Sequence, residues 1–258
     1  MRRILIIPDR TDMEATLELV KSSSVGFEYN DFFSPSILDD ERKVEEICKE
    51  YQKYALPEFC TIHGAFFDVF PCSVDEKIRE ISTYRIEQSI QAAKRIGALA
   101  VVFHTNYNPF LNSHEYIENW IKQNAGFWNS ILRKHKDINI YLENMFDLSP
   151  DILVELSKHL CKHENYGICF DYAHAVLSKT APEIWAKSLG KYVKHIHIND
   201  NNLVSDLHQA WGDGQINRQI FYECYEKYMS EASVLIETSS LKNKIRSLEV
   251  LKKDGFFV

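Results

Sequence analysis

The chain of 258 residues is 45% hydrophobic and 26% charged, with a formal net charge of −7. These are the proportions of a soluble globular domain, and the acidic balance argues against a general nucleic-acid binder, which needs a basic face. No run approaches the 18 apolar residues of a membrane-spanning helix. The basic start Met1-Arg2-Arg3 leads into only four apolar residues, Ile4-Leu5-Ile6-Ile7. That is too short for a signal-peptide core and reads as the first strand of a cytoplasmic protein.

In chain order, short apolar and often β-branched segments at 4–7, 26–29, 60–63, 100–104, 139–143, 167–171, 194–198 and 234–237 read as strands buried on both faces. Amphipathic stretches alternate with them at 13–23, 41–54, 74–96, 116–134, 150–163, 182–189, 216–229 and 241–252. The 74–96 stretch carries Ile78, Ile81, Ile86, Ile90 and Ala93 on one side. Ser149-Pro150 reads as an N-cap followed by proline at the first helical position, and Gly97 as a helix C-cap. The alternation predicts an α/β protein, one parallel eight-stranded (β/α)₈ barrel domain over residues 1–258. An open doubly wound sheet is the alternative. It leaves less reason for polar groups from the first, middle and last thirds of the chain to meet. The six cysteines form no C-x-x-C pair and read as reduced thiols.

Glu143, Asp171, His197 and Glu237 each end one of these strands. Parallel barrels place their chemistry at the C-terminal strand ends, so these four converge on one mouth. Two carboxylates there, Glu143 and Glu237, can hold a divalent cation and also move protons. Asp171 suits a hard or borderline cation, and His174, three residues on, suits zinc, manganese or cobalt. His63 and His104 end strands three and four. Asp206 and His208 lie two apart in the polar loop 199–217, from which both can reach one metal. His195 shares a face with His197 but sits deeper, and reads as a satisfied buried histidine. Asp200 reads as a residue that binds loop backbone. His114, His135, His159 and His163 read as surface residues of helices.

Phe32, Phe33, Phe66, Phe67, Tyr107, Phe110, Phe146, Tyr172 and Trp211 fall in loops at the expected mouth, with Arg10 and Lys179 the nearest basic residues. An apolar wall with a few polar groups is how small-molecule pockets are built. Scarce basic residues count against a long phosphate backbone as ligand.

Taken in order and spacing, several segments resemble the xylose-isomerase-like TIM barrels. They are His63-Gly64-Ala65-Phe66-Phe67-Asp68, Val101-Val102-Phe103-His104 with the helix before it, Leu142-Glu143-Asn144, Cys169-Phe170-Asp171-Tyr172-Ala173-His174-Ala175, His195-Ile196-His197-Ile198-Asn199-Asp200, Asp206-Leu207-His208 and Leu235-Ile236-Glu237-Thr238. That superfamily includes sugar (phosphate) isomerases and epimerases and the endonuclease IV type of AP endonucleases. The epimerase branch implies one divalent metal on Glu143, Asp171, His197 and Glu237, with the two glutamates shuttling a proton through an enediolate. The endonuclease branch implies three zinc ions on those four plus His63, His104, His174, Asp206 and His208. The sequence departs from the endonuclease pattern where His63 is followed by Gly-Ala-Phe and His104 by Thr-Asn-Tyr. It departs from some epimerases in having Tyr141 where they carry a second acid.

The leading expectation is a metal-dependent isomerase or epimerase of a small sugar or sugar phosphate, using manganese, cobalt, magnesium or zinc. Glu143 and Glu237 would be catalytic, with His63, Phe66, His104, His174 and Trp211 contacting substrate. A trinuclear-zinc phosphodiesterase and a non-catalytic sugar- or metal-binding barrel are the alternatives. No membrane or nucleic-acid partner is expected, and a homo-oligomer is allowed.

Overall fold

The computed structural model describes residues 2–54, 56–66 and 68–257. Eight parallel strands close in chain order: β1 (Ile4–Ile6), β2 (Gly26–Tyr29), β3 (Cys60–His63), β4 (Ala100–His104), β5 (Asn139–Glu143), β6 (Tyr166–Asp171), β7 (Val193–Ile198) and β8 (Ser233–Ile236). β8 returns to β1, with Val234 opposite Ile4 and Ile236 opposite Ile6. That pairing removes both sheet edges and excludes the open sheet.

The helices are α1 (Met13–Ser23), α2 (Pro35–Leu38), α3 (Glu41–Tyr51), α4 (Glu76–Ile96), α5 (His114–Lys134), α6 (Asp151–Leu160), α7 (Tyr172–Leu177), α8 (Pro182–Leu189), α9 (Arg218–Tyr228) and α10 (Leu241–Lys253). Side chains alternate across each strand. Phe27, Ile62, Phe103, Leu142, Phe170 and Ile196 join the hydrophobic layer between strands and helices. The alternate positions Glu28, Thr61, Cys169, His195, His197 and Ser233 face the barrel interior and are equally buried. The interior below the mouth therefore carries polar groups among apolar ones such as Leu5, Val102 and Leu235.

Aspartate and serine caps start most helices, as Asp75 does by accepting the Lys77 amide of α4. Gly97 ends α4 in the left-handed conformation, φ 80°, with its N–H on Ala93 and Lys94 carbonyls, as expected for a C-cap. Four local expectations are corrected. On α4 the buried face is Ser82, Ile86, Ser89, Ile90, Ala93 and Ile96, while Ile78 and Ile81 are exposed. Pro150 occupies the N-cap position of α6, and Ser149 bonds Asp151 instead of capping the backbone. His135 is not a surface residue: it caps the C-terminus of α5, is buried, and bonds Glu87 at 3.0 Å. His163 lies past the end of α6, half-buried, and bonds Asn129 at 2.7 Å.

All six cysteines are free thiols. Four are buried, Cys72 is half-buried, and Cys161 is exposed just past α6, before β6 begins. No described helix is long and apolar enough to cross a membrane.

Candidate metal centre and active site

Strands β3 to β7 each deliver their last inward-facing residue to the mouth. β3 supplies His63, β4 His104, β5 Glu143, β6 Asp171 and β7 His197, and Glu237 follows β8 directly. Asn144 ties two of these ends together. Its side-chain amide donates to the Asp171 carbonyl and its oxygen accepts the Asp171 N–H, both at 2.9 Å. The Asp171 side chain also caps α7 by accepting the His174 N–H at 2.6 Å, which brings His174 over the mouth.

Glu143 is the hub. Its Oε2 lies 3.4 Å from both His63 Nε2 and His104 Nε2. Its Oε1 lies 3.4 Å from His197 Nδ1 and 3.8 Å from His174 Nδ1. His197 Nδ1 is also 3.6 Å from Glu237 Oε2. A third group completes the site: His174 Nε2 and His208 Nε2 lie 3.3 and 2.8 Å from the same Asp206 oxygen, Oδ2. The nine expected residues thus form three adjoining sets, His63/His104/Glu143, Glu143/Asp171/His197/Glu237 and His174/Asp206/His208. In two of them, ligand-type atoms of His63, His104 and Glu143, and of Glu143, Asp171 and His197, lie within 4.8 Å of one another.

The loop from β7 to α9 that carries Asp206 and His208 is organised by Asp200. This buried carboxylate accepts the N–H groups of Asn201, Gly212 and Ile216, and the residue pairs with Gln209 in an isolated antiparallel bridge. His208 itself has φ 47°, a conformation uncommon for a residue with a Cβ.

The histidines are oriented for ligation. His63, His174 and His208 each place Nδ1 on a backbone carbonyl, of Gly64, Asn144 and Glu237, at 2.9–3.0 Å. An N–H donated there leaves the Nε2 lone pair facing the carboxylates, the arrangement typical of metal-binding imidazoles. Buried polar atoms nearly always find partners, yet Glu143 Oε2, Asp171 Oδ2, His197 Nδ1 and Glu237 Oε2 have no hydrogen bond. Ligand-type atoms of Glu143, Asp171 and His197 lie within 4.8 Å of one another, an arrangement that fits a divalent cation.

Electrostatics point the same way. Burial opposes the charged form of Glu143, but His197 and His104 outweigh it and hold the carboxyl well below its usual range. Burial, with the Glu237 and Glu143 charges added and His174 opposing, pushes Asp171 up to about 7. Burial works against a charge on His208, but Asp206 and Glu237 carry its imidazole up to about 9. His174 is raised well above its usual value, against burial, by Asp171, Asp206 and Glu143. Glu28, Glu143, Asp171, Asp206 and Glu237 pair only with histidines, and no described lysine or arginine bridges any of them. Arg10 is held by Asp31 and Glu50.

Beside the third set opens a cavity of about 640 Å³. Tyr107, Phe110, Met145 and Phe146 wall it, Asn106 and Asp147 add polar groups, and His174 and Asp206 form its inner end. Of the expected rim, Phe66 packs edge-on to the rings of His63 and His104, with Phe33 beside it. Phe67 lies outside the described residues. Phe32, Tyr172 and Trp211 are corrections, since all three are fully buried in the core. Trp211 packs on Tyr172 and Phe221, donates its indole N–H to Tyr222 and does not line the cavity. His195 is a buried, bonded histidine and Asp200 a loop organiser, both as expected. Sequence reasoning assigns Glu28 and Asn144 no role. The signal for Glu28 is an acid between aromatics in a strand with no polar face.

Fold and site define a (β/α)₈ barrel with its ionisable groups gathered at the C-terminal mouth. The chain belongs to the family described as xylose isomerase-like TIM barrel, whose family model matches residues 19–253. It is 30% identical over 205 residues to the uncharacterized protein MJ1311 of Methanocaldococcus jannaschii, covering 74% of this chain and 68% of that protein. It is 25% identical over 159 residues to apurinic-apyrimidinic endonuclease 1 of Saccharomyces cerevisiae, covering 51% of this chain and 43% of that one. The fold is shared with the TTHB071 protein of Thermus thermophilus, soaked with ZnCl₂, at TM-score 0.79, 21% identity and coverage of 98% and 97%. It is also shared with a D-tagatose 3-epimerase-like protein at TM-score 0.76, 22% identity and coverage of 98% and 96%.

Proposed function

We propose that this chain is a metal-dependent isomerase or epimerase of a small sugar or sugar phosphate. The observation that carries the reading is the pair of carboxylates, Glu143 and Glu237, on either side of His197 Nδ1 at 3.4 and 3.6 Å. They lie near a cavity of aromatic walls and amide or carboxylate groups with no lysine or arginine in its lining. Such a lining suits a polyol, whose C–H faces stack on rings while its hydroxyls bond amides. Glu143, Asp171, His197 and Glu237 would hold one divalent ion. Bound there, the ion would polarise a carbonyl and its neighbouring hydroxyl and acidify the C–H of the hydroxyl-bearing carbon. Glu143 and Glu237 would take and return that proton, while His63, Phe66, His104 and His174 contact the substrate. A cytoplasmic setting, which keeps the six thiols reduced, goes with this reading. Fold neighbours among the epimerases support it.

The test is turnover on a panel of aldoses, ketoses and their phosphates with manganese, cobalt, magnesium or zinc added. Glu237→Gln is expected to lose about 10²–10⁴-fold in rate. Undiminished turnover in that variant would sink the assignment.

A second reading is favoured by one observation, the convergence of His174 and His208 on Asp206 beside the quartet. Five carboxylates with no lysine or arginine are far from neutralised by one divalent ion and nearly balanced by several. Phosphoester hydrolysis at up to three zinc ions is the chemistry that set would serve. Zinc near three per chain, with cleavage of an abasic-site duplex or a smaller phosphoester lost in His208→Ala, would establish it over the isomerase. Zinc or manganese near one per chain would remove it.

A further inference from the structure

Below the quartet, inside the barrel, Glu28 is fully buried on β2. Its Oε2 accepts from Thr61 Oγ1 at 2.7 Å and faces His195 Nε2 at 3.1 Å. Its Oε1 lies 3.2 Å from His197 Nε2, and neither atom has any other hydrogen-bond partner; the pair face each other without the alignment of a formed hydrogen bond. His195 is held in turn by Ser233 Oγ at 2.7 Å from Nδ1. A buried carboxylate without a lysine or arginine is costly unless its partners are well placed, and here its partners are a threonine and two histidines.

The other nitrogen of the same ring, His197 Nδ1, faces Glu143 and Glu237. A neutral imidazole carries one N–H, and an ionised carboxylate only accepts. With Glu28 at Nε2, the proton of His197 belongs on Nε2, and the Nδ1 lone pair is left facing the quartet. His63, His174 and His208 obtain the equivalent orientation from backbone carbonyls. His197 differs because neither of its ring nitrogens is hydrogen-bonded, and the group standing at Nε2 is a carboxylate from across the barrel, at 3.2 Å. We infer that Glu28 is a positioning residue that fixes the tautomer and ring orientation of His197 so that Nδ1 can bind a divalent cation. Thr61, and Ser233 through His195, hold Glu28 in place for this. The inference rests on the metal centre proposed above.

Glu28→Gln keeps the shape and changes the bonding. With its oxygen kept on Thr61 and His195, the new NH₂ group faces His197 Nε2, which can then only accept. The proton moves to Nδ1 and blocks ligation. Two measurements on the full chain test this. Long-range ¹H–¹⁵N NMR of zinc-loaded wild-type protein is expected to show His197 protonated at Nε2 and metal-bound at Nδ1. Competition with a chromophoric chelator is expected to show zinc bound about 10–100-fold more weakly by Glu28→Gln. A purely structural role would lower thermal stability while leaving the His197 pattern and the affinity alone, and that result overturns the inference. Should the variant not fold, the wild-type spectrum decides: a proton on Nδ1, or zinc on Nε2, overturns it equally. A wild-type protein that binds no zinc would instead remove the centre itself, a failure distinct from unchanged affinity in the variant.

Discussion

Asp171 and His208 sit on opposite sides of the same balance. The first is a carboxyl lifted to about 7, by burial first and by the neighbouring Glu237 and Glu143 charges. The second is an imidazole lifted to about 9, against burial, by Asp206 and Glu237. Both hold protons near neutrality that a cation must displace, so binding releases protons. Apparent metal affinity should therefore climb as pH rises from about 6 to about 9. Calorimetric titrations at three pH values in buffers of different ionisation heat would show it, and a flat profile would contradict these roles. Asp147 offers a test away from the expected ligands. Burial, the largest influence, raises its carboxyl to about 6 despite the Met145 N–H it accepts. A raised acid contributes stability that is complete below its unfolded value, near 4, and lost as pH climbs through about 6. Asp147→Asn should thus stabilise the protein at pH 8, by roughly 1–3 kcal/mol, and do little at pH 4. Thermal melts at the two pH values check it. At this scale the sequence was legible wherever an acid or histidine ended a strand. It was not legible for Trp211, because residue type in a loop does not say which way a ring turns. Glu28 also escaped, because its partners come from β3 and β7, far away in sequence.

The strands were readable to within a residue because runs buried on both faces are continuous in apolar character, and β2 to β5 match the segments expected from sequence. The short α2 and α7 were not, since four and six residues are too few to show a helical period. The loop from β7 to α9 was the least legible element, because its order comes from Asp200 reaching backbone up to sixteen positions away. Gly214 is fixed by that arrangement: a Cβ there would lie 2.3 Å from Asp200 Oδ1 and 2.5 Å from the Asn201 carbonyl. Gly214→Ala should displace the loop and, with it, Asp206 and His208. The expected outcome is weaker binding of metal at the His174/Asp206/His208 set with the quartet preserved. Metal content by mass spectrometry, beside that of the parent protein, reads this directly, and unchanged content would refute it.

Across the whole molecule, closure of the barrel brings β2 within reach of β7 and lets residues 28 to 237 share one interior. The alternation of strands and amphipathic stretches was enough to foresee this closure. The polarity of the barrel below its mouth was not foreseen, since alternation in a strand buried on both sides marks no inside. Glu28, Glu143, Asp171 and Glu237 concentrate acids in that interior, in a chain of net charge −7, so a bound cation is expected to stabilise the fold. Anything that binds only the folded state stabilises it, by about 2.7 kcal/mol at a hundredfold excess over Kd. Chelation should therefore lower the melting temperature by about 5–10 °C in a domain of this size, restored by one of the metals above. A melt unmoved by chelator would argue that no ion is resident.

Cys161 stands apart from the other thiols. Four of those are buried, and the half-buried Cys72 is pushed by burial up to about 12, beyond easy alkylation at neutral pH. Cys161 is exposed between the end of α6 and the start of β6, at the pole of the barrel opposite the mouth. A maleimide surface or fluorophore should therefore attach in one orientation, with the cavity and its carboxylates turned toward solution. The chain comes with its own handle for immobilised binding measurements, and none of its ionisable cluster needs to be altered to use it.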